Sequence, residues 1–234
     1  MAAPRAAGQR PASLSDDGEI ARHKRAAALA AAELIEDGMS VGLGTGTTVA
    51  HLLPAIAERG LVGLCCVATS PATEQTALAL GLTVQPLDEL GELDIAIDGA
   101  DQIDAEGWLV KGGGGAHTRE KIVASAARRF VVIVSAEKPV RELAPPVPLE
   151  LLAFGVRHTL ARLGDARLRG TASSPDGGLI ADYLGPIGEP RELAARLSAT
   201  AGVVEHGLFA PEMVSLMLIG GEHGVERRAG AKPV

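Results

Sequence analysis

The chain has little of what staples small secreted folds or builds metal clusters: its 234 residues include two cysteines, adjacent at Cys65 and Cys66. Neighbouring cysteines cannot form a disulfide framework or a metal-ligand set, and within an apolar run they read as buried free thiols of a reducing, cytoplasmic compartment. Aromatic residues are 2% of the chain, so there is no stacking platform for single-stranded bases. Positive charge is in deficit, 22 Lys+Arg against 29 Asp+Glu, and the net charge of −7 works against nucleic acid or an anionic membrane as partner. No apolar run reaches the roughly 18 residues a membrane span needs. The stretch MAAPRAAGQRPASLS has no apolar core segment and so is not a secretory signal. A disordered tail over 1–18 is expected, with a short organellar transit peptide as the alternative.

What is present is an ordinary globular composition, 47% hydrophobic and 22% charged, with length enough for one or two domains. A capping-box-like spacing from Asp16 to Glu19 opens a helix through the Ala-rich stretch to Asp37, stopped by Gly38. Short apolar strands at 39–43, 61–68, 83–85, 93–97, 108–110 and 130–134 alternate with helices at 49–58, 71–80 and 117–127. Near-continuous apolar strands separated by helices predict an α/β fold, a Rossmann-like parallel sheet with helices on both faces, over residues 19–144. At Pro145-Pro146-Val147-Pro148 the rhythm changes. A smaller inserted α+β unit is expected over 145–207, with helices near 157–163 and 190–197 and a hairpin about Asp176-Gly177-Gly178. A strand at 213–219 returns to the main sheet, and 226–234 reads as a frayed polar end.

Ligands of open parallel sheets bind beyond the carboxyl ends of the strands, and three strand ends here carry chemistry. Gly44-Thr45-Gly46-Thr47-Thr48 suits an anion, with glycines for close approach, helix amides and hydroxyl donors, yet it matches neither the dinucleotide nor the Walker pattern. Without a ligand it would be a tight strand–helix turn. Asp98-Gly99-Ala100-Asp101 could bind sugar hydroxyls or a divalent metal, or simply form an Asp turn. Lys111 precedes Gly112-Gly113-Gly114-Gly115, a run whose entropic cost argues for backbone passing close to something. Beyond it, Glu120 in the first helical turn could take a proton while Lys111 stabilises a developing oxyanion.

Taken together, VGLGTGTTVAHLL (41–53), DIAIDGADQID (94–104), LVKGGGGAHTREKIVASAA (109–127) and, more weakly, GVVEHGLF (202–209) resemble ribose-5-phosphate isomerase of the A type, over about 21–225. The resemblance implies a cofactor-free, metal-free interconversion of D-ribose 5-phosphate and D-ribulose 5-phosphate in the non-oxidative pentose phosphate pathway, on a Rossmann-like domain with a lid-like small domain. Carried over position by position, Glu120 would be the general base acting through a cis-enediolate, and Lys111 would stabilise the enediolate oxygens. Asp98 and Asp101 would bind the sugar, Asp98 also opening the furanose ring. Thr45, Gly46, Thr47, Thr48, Gly99, Ala100, Gly112, Gly113, Gly114, Lys138 and Lys24 would contact the substrate. A homodimer or homotetramer whose one partner is a small sugar phosphate is implied.

Three positions depart from the family pattern: Gln102 for an acid, Thr47 for a serine, and His117 for an aliphatic residue. His117 could tune Glu120 or face solvent. Two rivals share the sheet: a sugar-phosphate sensor, which should carry a DNA-binding helix-turn-helix that about 40 residues before the loop cannot hold, and an amino-sugar-phosphate isomerase/deaminase, which should use other motifs.

Overall fold

The structure, a computed structural model, describes residues 13–232. Along the chain run α1 (Ser13–Ala32), β1 (Ser40–Leu43), α2 (Val49–Glu58), β2 (Cys65–Ala68), α3 (Pro71–Ala79), α4 (Leu87–Leu90), β3 (Leu93–Asp98), β4 (Gln102–Ile103), β5 (Leu109–Val110), α5 (His117–Ala126) and β6 (Ala127–Ser135). Then follow β7 (Val147–Leu151), α6 (Val156–Leu163), β8 (Ala166–Ser173), β9 (Leu179–Tyr183), α7 (Pro190–Ser198), β10 (Val203–His206), β11 (Leu208–Phe209), β12 (Leu216–Gly221) and β13 (Gly224–Ala229).

Six strands form the main sheet in the order β13-β12-β6-β3-β1-β2, all parallel except β13. The expected α/β architecture is therefore present. Successive side chains of a strand point to opposite faces, and here both faces are covered. Ile95, Ile97, Val131 and Ile133 pack with α1 and α2 in one apolar cluster, while Ala96, Val132 and Val134 pack with Val123 and Ala124 of α5 in another. That is why the strands read as unbroken apolar runs. A small sheet of four antiparallel strands, β10-β7-β9-β8, carries α6 and α7 and has its own core of Leu149, Leu151, Ala181, Leu193 and Leu197. A third sheet of three two-residue strands, β11-β5-β4, joins the two units.

Several boundaries differ from expectation. Part of the proposed tail, 1–12, lies outside the described residues, but Ser13 to Gly18 are already helical. The first helix also stops at Ala32, well before Asp37. The carbonyls of Ala32 and Ile35, which a continuing helix would use, accept hydrogen bonds from Arg59 Nη1 instead, the latter at 2.5 Å. Residues 83–85 make only a single bridge, Cys66 to Val84, and form no strand. Most informative is the end that reads as frayed: Gly224–Ala229 is a paired strand, in register from Leu216–Ala229 to Gly221–Gly224. The turn Glu222-His223 closes that hairpin, and pairing needs only backbone, so a charged edge strand can form without an apolar pattern.

Candidate active site

Three strand ends meet at one edge of the main sheet. β1 and β3 are neighbours with Leu43 opposite Ile97, and the Gly44 amide donates to the Ile97 carbonyl at 2.9 Å, so the threonine loop lies beside Asp98. A Cβ on Gly44 would come within 2.0 Å of Asp98 Oδ1, so only glycine leaves room for the carboxylate beneath the loop. Asp98 is 3% exposed, and its Oδ1 accepts from the Thr45 and Gly99 amides at 3.1 and 2.7 Å.

Lys111 leaves β5 and runs under the same spot. Its ammonium sits 2.9 Å from Asp98 Oδ2, 3.1 Å from Glu120 Oε2 and 2.5 Å from the Gly99 carbonyl oxygen, which accepts from it. Glu120 enters from the first turn of α5. Burial and the Asp98 charge push its carboxyl up to about 7, with Lys111 pulling the other way. Burial also pushes Asp98 up, against the Lys111 ammonium. Lys111 is raised although burial opposes its charge, because two carboxylates flank it.

These groups form the floor of a cavity of about 120 Å³ lined by Lys24, Thr45, Gly46, Thr47, Thr48, Gly99, Ala100, Asp101, Lys111, Gly112, Gly113, Gly114, Glu120 and Lys138. Every catalytic or substrate-contacting residue that the resemblance implies lines it except Asp98, which lies underneath and touches Lys111. Asp101 does face the cavity, with Oδ2 accepting from the Gly113 amide at 2.9 Å and Oδ1 turned free of that bond. Lys24 comes from α1 and donates to Thr47 Oγ1 at 2.9 Å. Three lysines stand against two carboxylates in the lining, an electrostatic match for a small anion. The point between Asp98 and Glu120 that a bridging metal would take is filled by the Lys111 ammonium. Among the described residues no group of three or more His, Cys, Asp or Glu side chains is arranged to hold a metal ion.

His117 does not face solvent: it is fully buried against Gly112, and its ring nitrogens make no well-formed hydrogen bond, the Glu205 backbone being the polar group that most favours its charged form. Burial pushes it down to about 4, so the ring is neutral.

Sequence reasoning missed the groups that hold this machinery from behind. Thr69 Oγ1 lies 2.7 Å from Thr45 Oγ1, and Thr73 Oγ1 donates to the Gly44 carbonyl at 2.9 Å. Around Glu120, three α5 neighbours turn to the small sheet: Thr118 donates to the buried Glu150 at 2.5 Å, Arg119 pairs bidentately with Asp176, and Lys121 pairs with Glu205 at 2.7 Å. Arg169 of β8 donates to the carbonyls of Gly112 and Gly113 at 3.0 and 2.9 Å. Apart from the polar character of these residues, nothing local marks such partners, because each pair is assembled by the fold.

Comparison with known proteins gives one answer. The family model described as Ribose 5-phosphate isomerase A (phosphoriboisomerase A) matches residues 65–224. A protein of Gluconobacter oxydans (strain 621H) named Ribose-5-phosphate isomerase A is 43% identical over an alignment of 220 positions that covers 87% of this chain and 95% of the relative. A crystal structure of ribose 5 phosphate isomerase A from Neisseria gonorrhoeae superposes with a TM-score of 0.84 at 32% identity, covering 90% of this chain and 97% of that one. A D-ribose-5-phosphate isomerase in complex with phospho-erythronic acid superposes with a TM-score of 0.85 at 31% identity, covering 90% and 99% of the two chains.

Proposed function

The chain belongs to the ribose 5-phosphate isomerase A family and interconverts D-ribose 5-phosphate and D-ribulose 5-phosphate, and we propose that Glu120 carries the proton between C1 and C2. The observation behind this is a buried carboxyl held near pH 7, 3.1 Å from an ammonium and open to the cavity. At neutral pH such a group is populated in both forms, so it can accept a proton and return it. Ionised Glu120 takes the proton from C2 of the open-chain aldose, electrons move onto the C1 oxygen, and an enediolate forms. Protonated Glu120 then delivers the proton to C1, while the hydroxyl proton passes from O2 to O1 beside Lys111. The Lys111 ammonium, kept charged by its two carboxylate neighbours, offsets the negative charge as it develops.

Asp101 holds sugar hydroxyls through its free oxygen. Asp98, covered by Gly44 and Lys111, acts on the sugar and on ring opening through Lys111. The Thr45–Thr48 loop, Lys24 and Lys138 receive the phosphate at the start of α2, and Gly99, Ala100 and Gly112 to Gly114 give the sugar a wall without side chains. The phospho-erythronic acid bound by a relative, a four-carbon acid phosphate, is a ligand of matching size and charge. No cofactor is needed for this proton transfer.

Exposed Leu152, Phe154, Leu184 and Val204 on the small domain support assembly as a homodimer or homotetramer. Free Cys65 and Cys66 suit the cytoplasm, and no helix among the described residues is long and apolar enough to cross a membrane.

The test is conversion of D-ribose 5-phosphate by purified protein in excess EDTA, alongside Glu120→Gln. Robust turnover by the native protein and a loss on the order of 10²–10⁴-fold in the variant are expected. Near-normal turnover by the variant removes Glu120 from the role.

A further inference from the structure

We propose that Arg169, on the small sheet, is a positioning residue that fixes the peptide planes of the catalytic glycine run; this rests on the isomerase reading above. Four successive glycines have no side chains with which to hold a shape, and their entropy favours many others. The run nevertheless sets the site, because Lys111 immediately precedes it and Glu120 follows it by one helical turn.

Arg169 is itself held rigidly. Its Nε and Nη2 donate to Asp182 Oδ2 and Oδ1 at 2.8 and 2.5 Å, a bidentate fork that fixes the guanidinium plane. Nη1 is then left aimed at the Gly112 and Gly113 carbonyls. In a trans peptide the N–H points opposite to the C=O. Drawing the Gly112 oxygen towards the small sheet therefore turns the Gly113 N–H the other way, where it donates to Asp101 Oδ2 at 2.9 Å. The same grip on the Gly113 oxygen turns the Gly114 N–H towards the cavity that Gly114 lines.

The rest of the run is confined by contact. A Cβ on Gly112 would lie 2.7 Å from His117 Nδ1, and one on Gly115 would lie 3.2 Å from Ile180 Cγ1 of β9. A lysine at 169 could not do this work, since one ammonium cannot span a carboxylate fork and two carbonyls in a plane. Through Arg169, then, the small domain orients the Asp101 carboxylate and one backbone donor of the cavity without touching the sugar.

Arg169→Ala should lower kcat/KM for ribose 5-phosphate about ten- to a hundredfold, the size expected for losing two charge-assisted hydrogen bonds that hold the site. The acid limb of its pH profile should move little, because burial, Asp98 and Lys111 dominate the Glu120 carboxyl and Asp101 contributes least. Millimolar ethylguanidinium should restore part of the rate, and Arg169→Lys should resemble the alanine variant; if the alanine variant does not fold, the lysine variant carries the comparison. In ¹⁵N-labelled protein, amide exchange at Gly113, whose N–H is held by Asp101, should quicken about tenfold or more. Native kcat/KM in a folded variant overturns the proposal, as does unchanged exchange at Gly113. The exchange arm stands even if the native protein fails to turn over ribose 5-phosphate, an outcome that would sink the isomerase reading separately.

Discussion

Replacing Asp98 by Asn keeps the shape of the buried floor and removes one negative charge from beside the base. Both carboxylates touch the same ammonium, at 2.9 and 3.1 Å, which puts their facing oxygens no more than about 6 Å apart; at an effective dielectric of about 20 that separation corresponds to about 3 kcal/mol of repulsion. One pKa unit is about 1.4 kcal/mol, so relief of the repulsion is worth up to about two units. The sign follows from charge: with the anion gone, ionised Glu120 is easier to form, and Lys111 is left with a single carboxylate to favour. The Glu120 carboxyl, held at about 7 in the native protein, should drop by one to two units, roughly the Coulomb value less solvent screening. The assay is kcat/KM for ribulose 5-phosphate formation between pH 4.5 and 9, which reports the free enzyme. The substrate's own phosphate titrates near pH 6 but does so equally in both proteins and cancels in the difference. An acid limb that stays in place, or moves upward, refutes the electrostatic account of Glu120.

Glu120→Gln should stabilise the protein above pH 7. The folded carboxyl binds its proton more tightly than the unfolded one, about 7 against 4.5, so stability falls as pH rises through that window; the variant should gain about 1–3 kcal/mol at pH 8, read as a Tm several degrees higher, while at pH 4 the two should match. His117→Leu should gain about 1 kcal/mol by removing a buried ring whose nitrogens make no well-formed hydrogen bond. It should also flatten the acid side of the stability curve, because a ring at about 4 when folded and 6.5 when unfolded loses stability as pH falls through that range. An altered pH–rate profile in this variant would instead show that His117 tunes the base. Lys24→Met should raise KM about tenfold with kcat little changed; a change confined to kcat would remove Lys24 from phosphate binding.

The legible parts of this protein were those whose meaning is local. Apolar runs located β1, β3 and β6, and the helix expected at 71–80 is α3, opened by Ser70 Oγ accepting from the Thr73 amide at 3.2 Å. The GTGTT, DGAD and KGGGG segments were recognisable because each site residue sits within a few positions of a strand end. What stayed hidden depends on distant parts of the chain. Arg119 meets Asp176 across 57 residues, and Thr118 meets Glu150 across 32. No periodicity encodes such pairs, so the grip of the small sheet on α5 emerges only from the fold. Asp98 illustrates the same limit: its sequence position says strand end, but its burial follows from a glycine 54 places earlier, the residue whose missing Cβ admits it. The polar β13 went unread for a different reason, since an edge strand pairs through its backbone and displays little apolar pattern.

That last strand has a practical meaning for anyone trimming the molecule. Gly224–Ala229 shields the outer hydrogen-bonding row of β12 and itself presents Glu226 and Arg227 to solvent. Ending the polypeptide at Glu222 would leave Leu216–Gly221, an apolar segment buried on both faces, with unpaired backbone groups at the border of the sheet. Such a border recruits strands from other molecules. Strand β13 thus covers a border that would otherwise be open to pairing, and forms shortened to Glu222 should lose solubility before they lose the geometry around Glu120.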